Sequence, residues 1–247
     1  MSGNRGSILP VRSWTVTASA VLLVAGGVAY ADWILQLFLP VQADLTSSFV
    51  SELSAAGQPF DSLFRIADVV GGALLVAGGT AAWLCARRWP GIWITLVLLG
   101  ACIVIEATLP LNGTFTFAAI LPRAGTALWW QRVSEPHGVV SFAETVCFLV
   151  LFRNCTVALR RSSAPLDWQR LVAVVGLAAV LCGVLDAALT AALLMGGQAD
   201  ALGLVQRLGV TLTAVWLAAA PTGLLVANPR RTVRSEQEQT SRVAVRS

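Results

Sequence analysis

In the segment EPHGVVSFAETV, His137, Ser141 and Glu144 stand at i, i+4 and i+7, a spacing that puts all three on one face of a helix. An imidazole can ligate a metal or exchange protons near neutral pH. A hydroxyl beside a base can act as a nucleophile, and a carboxylate can hold a proton or a cation. Similar pairs recur along the chain. Asp32 and Gln36, Asp186 and Thr190, and Arg207 and Thr211 are each four apart; Arg65 and Asp68 are three apart, and Glu106 stands alone. Zinc sites take three or four ligands, usually several of them His or Cys. His137 is the sole histidine, and neither HxxxH nor HExxH occurs, so no metal and no cofactor is expected. Ser141 and His137 match a nucleophile–base pair only in spacing, because no oxyanion hole is legible. GGALLVAGG lies inside an apolar run with no strand before it, which rules out a phosphate-binding loop.

These groups must be positioned by elements unlike those of a soluble domain. The 247 residues are 56% hydrophobic and 12% charged, with a mean hydropathy of +0.74; soluble globular proteins carry about 25% charged residues. Spanning a bilayer takes about 20 apolar residues, and six windows qualify: 14–38, 64–86, 91–110, 137–156, 168–195 and 203–227. They lack a strand's alternation, and lipid admits only helices or closed barrels. The expected fold is therefore all-α: an integral membrane bundle of six transmembrane helices. It would comprise a cytoplasmic segment 1–13, a membrane domain 14–227 and a disordered tail 228–247.

The net charge of +4 does not point to nucleic acid. All seventeen basic residues are arginine. Arg5, Arg12, Arg87, Arg88, Arg153, Arg160, Arg161, Arg170, Arg230, Arg231, Arg234, Arg242 and Arg246 fall in alternate connections; only Arg65, Arg123, Arg132 and Arg207 fall on the other side. The positive-inside bias then places both termini in the cytoplasm. The absence of lysine suggests a GC-rich bacterial genome, hence a bacterial plasma membrane, with its lipids as partners. The five cysteines lie within spans or at their inner ends, which speaks against a disulfide framework. Ala29-Tyr30-Ala31 fits a signal-peptidase site, but apolar sequence runs on through Leu39, and an intact first helix is the expectation over cleavage after Ala31.

Charge inside a span costs about 2.5–3.5 kcal/mol on insertion scales and is usually functional or paired. With the N-terminus inside, every polar stripe lies in the outer half of its helix. Glu144 falls about 10 Å below His137, and Asp186 near the midplane. Six stripes at one depth predict a cavity open to the outside, walled by Glu52, Arg65, Asp68, Glu106, His137, Ser141, Glu144, Asp186 and Arg207, with Arg65 available to neutralise a carboxylate. Two long outer connections, 39–62 and 111–136, flank it. Leu45, Phe49 and Leu53 recur every four residues, predicting an amphipathic helix at the interface, and Trp129 and Trp130 suit headgroup depth. Asp61 and Asp167 could cap the second and fifth helices, Pro136 suits a first turn, Pro110 would close the third span, and Pro221 would kink the sixth.

The segment SELSAAGQPFDSLFRIADVVGG resembles the signature of the bacterial and archaeal membrane proteins grouped as domain of unknown function 998. The likeness lies in a Ser-Glu-Leu segment, a Gly-Gln-Pro turn, then Phe-Arg and Asp at the head of the second helix. The histidine opening the fourth span also fits. The resemblance implies six spans with long outer loops and points to Ser51, Glu52, Arg65, Asp68, His137 and Ser141; it implies no activity or cofactor. A looser similarity to membrane hydrolases related to alkaline ceramidases fails on histidines, since those carry three at a zinc site.

Three functions follow from the residues. The first is an outward-facing polar cavity that binds a small molecule or lipid headgroup, in transport, sensing or an accessory role. The second is a membrane hydrolase acting on lipid or envelope precursors through His137 and nearby carboxylates. The third is a structural membrane subunit whose polar groups only hold helices together.

Overall fold

The computed structural model describes residues 9–109, 136–194 and 200–227. Within them the secondary structure is helical: α1 (Leu9–Ala29), α2 (Asp61–Cys85), α3 (Pro90–Thr108), α4 (Pro136–Arg160), α5 (Leu166–Leu194) and α6 (Leu202–Val226), with short 3-10 helices at Asp32–Leu37 and Val50–Glu52. Helices α2 to α6 are each long and apolar enough to cross a membrane. Large apolar side chains cover the bundle's outside, as along α5 at Leu171, Val174, Leu177, Leu181 and Val184, all more than half exposed. Water would penalise such a surface and lipid would not. This is a multi-pass membrane protein.

The first window is shorter than its composition predicts. α1 stops at Ala29, well before the apolar window ends at Phe38. Beyond it the backbone tightens to three-residue hydrogen bonds, Ala31 N–H to Val28 and Ile34 N–H to Ala31. The chain turns there because Gln36 is drawn inward, donating to the Ala43 carbonyl at 2.6 Å.

The helices pack as an open ring in the order α4, α3, α2, α1, α6, α5; α4 touches α5 and α6 only sparsely. Small residues close the tight side. A β-carbon on Gly72 would lie 2.6 Å from the Gly100 carbonyl oxygen, and one on Gly100 equally close to that of Gly72, so α2 and α3 meet backbone to backbone. Ser19 ties α1 to α2 through the Gly78 carbonyl at 2.8 Å. Trp216 of α6 meets Phe148 and Phe152 of α4 edge-on at 5.5 and 5.8 Å. Gly176 of α5 fits this cluster because any side chain there would strike Phe152 and Trp216.

Segment 39–60 is not the amphipathic helix that its spacing suggests. It winds through turns over the outer end of the bundle. Leu53 and Ala55 are buried, with Leu53, Ala43 and Phe64 forming a small second core. Polar contacts from α6 replace helical hydrogen bonds: Gly203 N–H donates to Thr46 O at 2.7 Å, and Gln206 Oε1 accepts from Val50 N–H at 2.6 Å. Asp44, held to about 2 by hydrogen bonds from Thr46 and Ser47, organises the exposed turn.

Asp61 does not cap α2. The cap position belongs to Phe60, in the left-handed region at φ 65°. Asp167 likewise sits inside the first turn of α5, near Arg170 at 3.8 Å. Pro136 opens α4 as expected, and Pro221 lies inside α6. Pro110, Trp129 and Trp130 lie outside the described residues.

Candidate functional site

A cavity of about 450 Å³ opens inside the ring, lined in part by Asp68 of α2, Glu106 of α3, His137, Ser141 and Glu144 of α4, and Asp186 of α5. The i, i+4, i+7 face of α4 therefore does point inward, together with groups from three other helices. The aromatic cluster forms one end, with Phe148 and Leu217 in the wall.

Glu106 is the hub. Its Oε1 accepts the Ser141 hydroxyl and lies 3.2 Å from His137 Nε2. The other ring nitrogen, Nδ1, is 3.0 Å from the Leu109 carbonyl. A carbonyl only accepts, so Nδ1 carries a proton, and the Nε2–Glu106 contact needs a second proton on one partner or the other. Glu144 is only 7% exposed, and its Oε1 has no hydrogen-bond partner. Asp186, across the cavity, has a buried Oδ1 in the same condition.

This geometry bears on the nucleophile reading of Ser141. Its hydroxyl is directed to Glu106 and to the His137 backbone carbonyl, not to the His137 ring. The imidazole and the serine hydroxyl thus converge on one carboxylate oxygen, Glu106 Oε1, and not on each other. Among the described residues, no three His, Cys, Asp or Glu side chains cluster closely enough to hold a metal.

Three of the nine expected wall residues, Glu52, Arg65 and Arg207, do not line the cavity. Arg65 binds Asp61 at 3.0 Å, one turn back, and not Asp68 or any cavity carboxylate. Helical side chains lean toward the N-terminus, which favours the partner at i−4. Arg207 is buried under segment 39–60. Its Nε and Nη2 donate to Gln36 Oε1 at 3.0 and 2.8 Å, and its Nη1 to the Ser48 and Gly203 carbonyls at 2.7 and 3.0 Å. Glu52 is fully buried nearby. Its Oε1 accepts the Phe49 N–H at 3.2 Å, while Oε2 has no partner. Burial pushes its carboxyl up to about 7, against smaller opposing effects of Phe49, Ser48 and the Arg207 charge.

The cavity also takes in Tyr30, Asp32, Ser51, Ser54, Cys182, Gln206 and Thr213. Asp32 was legible as half of a polar pair. Tyr30 is the only tyrosine, at the end of an apolar run, and that isolation was the one signal available. Ser51 was marked only by the family resemblance, and Ser54 and Gln206 gave no signal, because only the folding back of segment 39–60 onto α6 brings them there.

The model of the family described as protein of unknown function, DUF998, matches residues 23–222. The chain belongs to this family. That span includes α2 to α5 whole, the end of α1, most of α6 and every cavity residue named above. No curated protein and no solved structure matches.

Proposed function

We propose that this family member is a six-span protein of the bacterial plasma membrane, with both termini in the cytoplasm. Its cavity opens toward the extracytoplasmic side and binds a small molecule or lipid headgroup, for transport, sensing or an accessory role. The arginine distribution supports the orientation, and α1 would be the sixth span, with its polar start at the inner headgroups.

One observation carries the reading of the cavity: Glu144, almost wholly buried in the wall of a space large enough for a ligand, has an oxygen without a partner. A carboxylate used only as internal glue would be satisfied by protein donors. Thiol labelling in intact cells tests the proposal, using Glu144→Cys and Asp186→Cys in a background with the five native cysteines replaced. A small membrane-impermeant reagent added outside is expected to modify both positions, and Arg88→Cys only after permeabilisation. Protection of Glu144→Cys and Asp186→Cys from outside, or modification of Arg88→Cys in intact cells, would overturn it.

A further inference from the structure

The ring has a seam, and the cavity reaches it. Thr145 and Leu149 of α4 and Gly183 and Val184 of α5 all line the cavity, yet all four are also exposed on the outside of the bundle. Leu149 is 42% and Val184 62% exposed. A β-carbon on Gly183 would meet nothing within 4 Å. Only 17% of the apolar window of α5 is buried, against 44% for α3. Among the described residues, then, the space between α4 and α5 is open sideways at the depth of Glu144 and Asp186, where the surrounding medium is acyl chain.

His137 apart, the ionisable groups of the wall that belong to Asp, Glu or Arg are all acidic. Asp32, Asp68, Glu106, Glu144 and Asp186 all face the cavity, whereas no arginine among the described residues does. Arg65 and Arg207 are committed to Asp61 and to the Gln36 cradle. Glu144 Oε1 and Asp186 Oδ1 both lack donors. An ammonium group brings three N–H donors and a positive charge with no acceptor of its own. An anionic headgroup would find hydroxyl and amide donors here, at Tyr30, Ser51, Ser54, Gln206 and Thr213, but also five carboxyls and no arginine to offset them. Between the carboxyls and the seam the wall is apolar, at Leu149, Val180 and Val184.

Resting on the reading of this space as a ligand cavity, we infer that its ligand is a membrane amphiphile with a cationic amine head, which passes between α4 and α5 with its chain left in the seam. The carboxyls take the head, and the apolar wall takes the first methylenes. A water-soluble amine would need only the outer mouth; the sideways opening is what selects a chain.

The test uses the full-length protein in lipid nanodiscs, with dodecylammonium, propylammonium and dodecanol as probes and binding read by native mass spectrometry and by the shift in unfolding temperature. Dodecylammonium is expected to bind and to raise the unfolding temperature. Dodecanol should be weaker by about tenfold or more, the usual effect of losing a hydrogen bond between charged partners. Glu144→Gln should weaken dodecylammonium similarly. Gly183→Trp, placed where an added β-carbon meets open space, should obstruct the seam and weaken dodecylammonium while leaving propylammonium unchanged; size-exclusion profiles and helical content check that both variants fold. Equal binding of dodecanol, equal binding of propylammonium and dodecylammonium, or indifference to Gly183→Trp would overturn the inference. If Glu144→Cys labels from outside but no amine binds, the ligand class is wrong and the cavity stands; if labelling also fails, both fall.

Discussion

Arg207 illustrates how an intramembrane charge can be consumed by structure. Its guanidinium spends its donors on a side-chain amide and two backbone carbonyls, joining α6 to the Asp32–Leu37 turn and to segment 39–60. Truncation would strand Gln36 Oε1 and the Ser48 and Gly203 carbonyls in a dry setting. Arg207→Met is therefore expected to cost about 3–5 kcal/mol, seen as a lower unfolding temperature in detergent. Arg207→Lys should recover only part of this, because an ammonium cannot reproduce the planar fork. The sequence marks Arg207 as costly and hence important, but not which role it serves. The same limit applies to Arg65, where the choice between Asp61 and Asp68 depends on side-chain direction and not on spacing.

At the level of helices, the five clear spans were legible to within a few residues, since each is an unbroken apolar run with charge or proline at its ends. The end of α1 was not. Its apolar sequence continues past Ala29, and the departure from helix is dictated by Gln36 bonding to distant partners. Segment 39–60 misled for the same reason: its four-residue period is real, but α6 supplies donors and acceptors that make turns the better solution. Helix contacts predict contrasting tolerance at two glycines. Gly72→Ala forces α2 away from α3 and should destabilise by about 1–3 kcal/mol, whereas Gly183→Ala, with open space around it, should leave the unfolding temperature nearly unchanged. Parallel thermal melts of the two variants check this.

For the molecule as a whole, the polar groups divide into two systems: the cavity, and the outer cap held by Arg207 and Glu52. The cap makes global stability depend on pH. The Glu52 carboxyl is raised from an ordinary value near 4.5 to about 7, so the folded chain binds a proton that the unfolded chain has already released in that window. Stability from this group is complete below about 4.5 and is lost as pH rises through 7. Unfolding temperature should fall across this interval in the native chain, and the fall should be shallower in Glu52→Gln; equal slopes in the two proteins would contradict the assignment.

The packing of Phe148 and Phe152 against Trp216 closes one end of the cavity in this arrangement. Passage would require both phenylalanines to swing clear, and both stand on α4, the helix fastened along α3 but barely joined to α5 and α6. One helix thus borders both the gap toward α5 and the aromatic floor of the cavity.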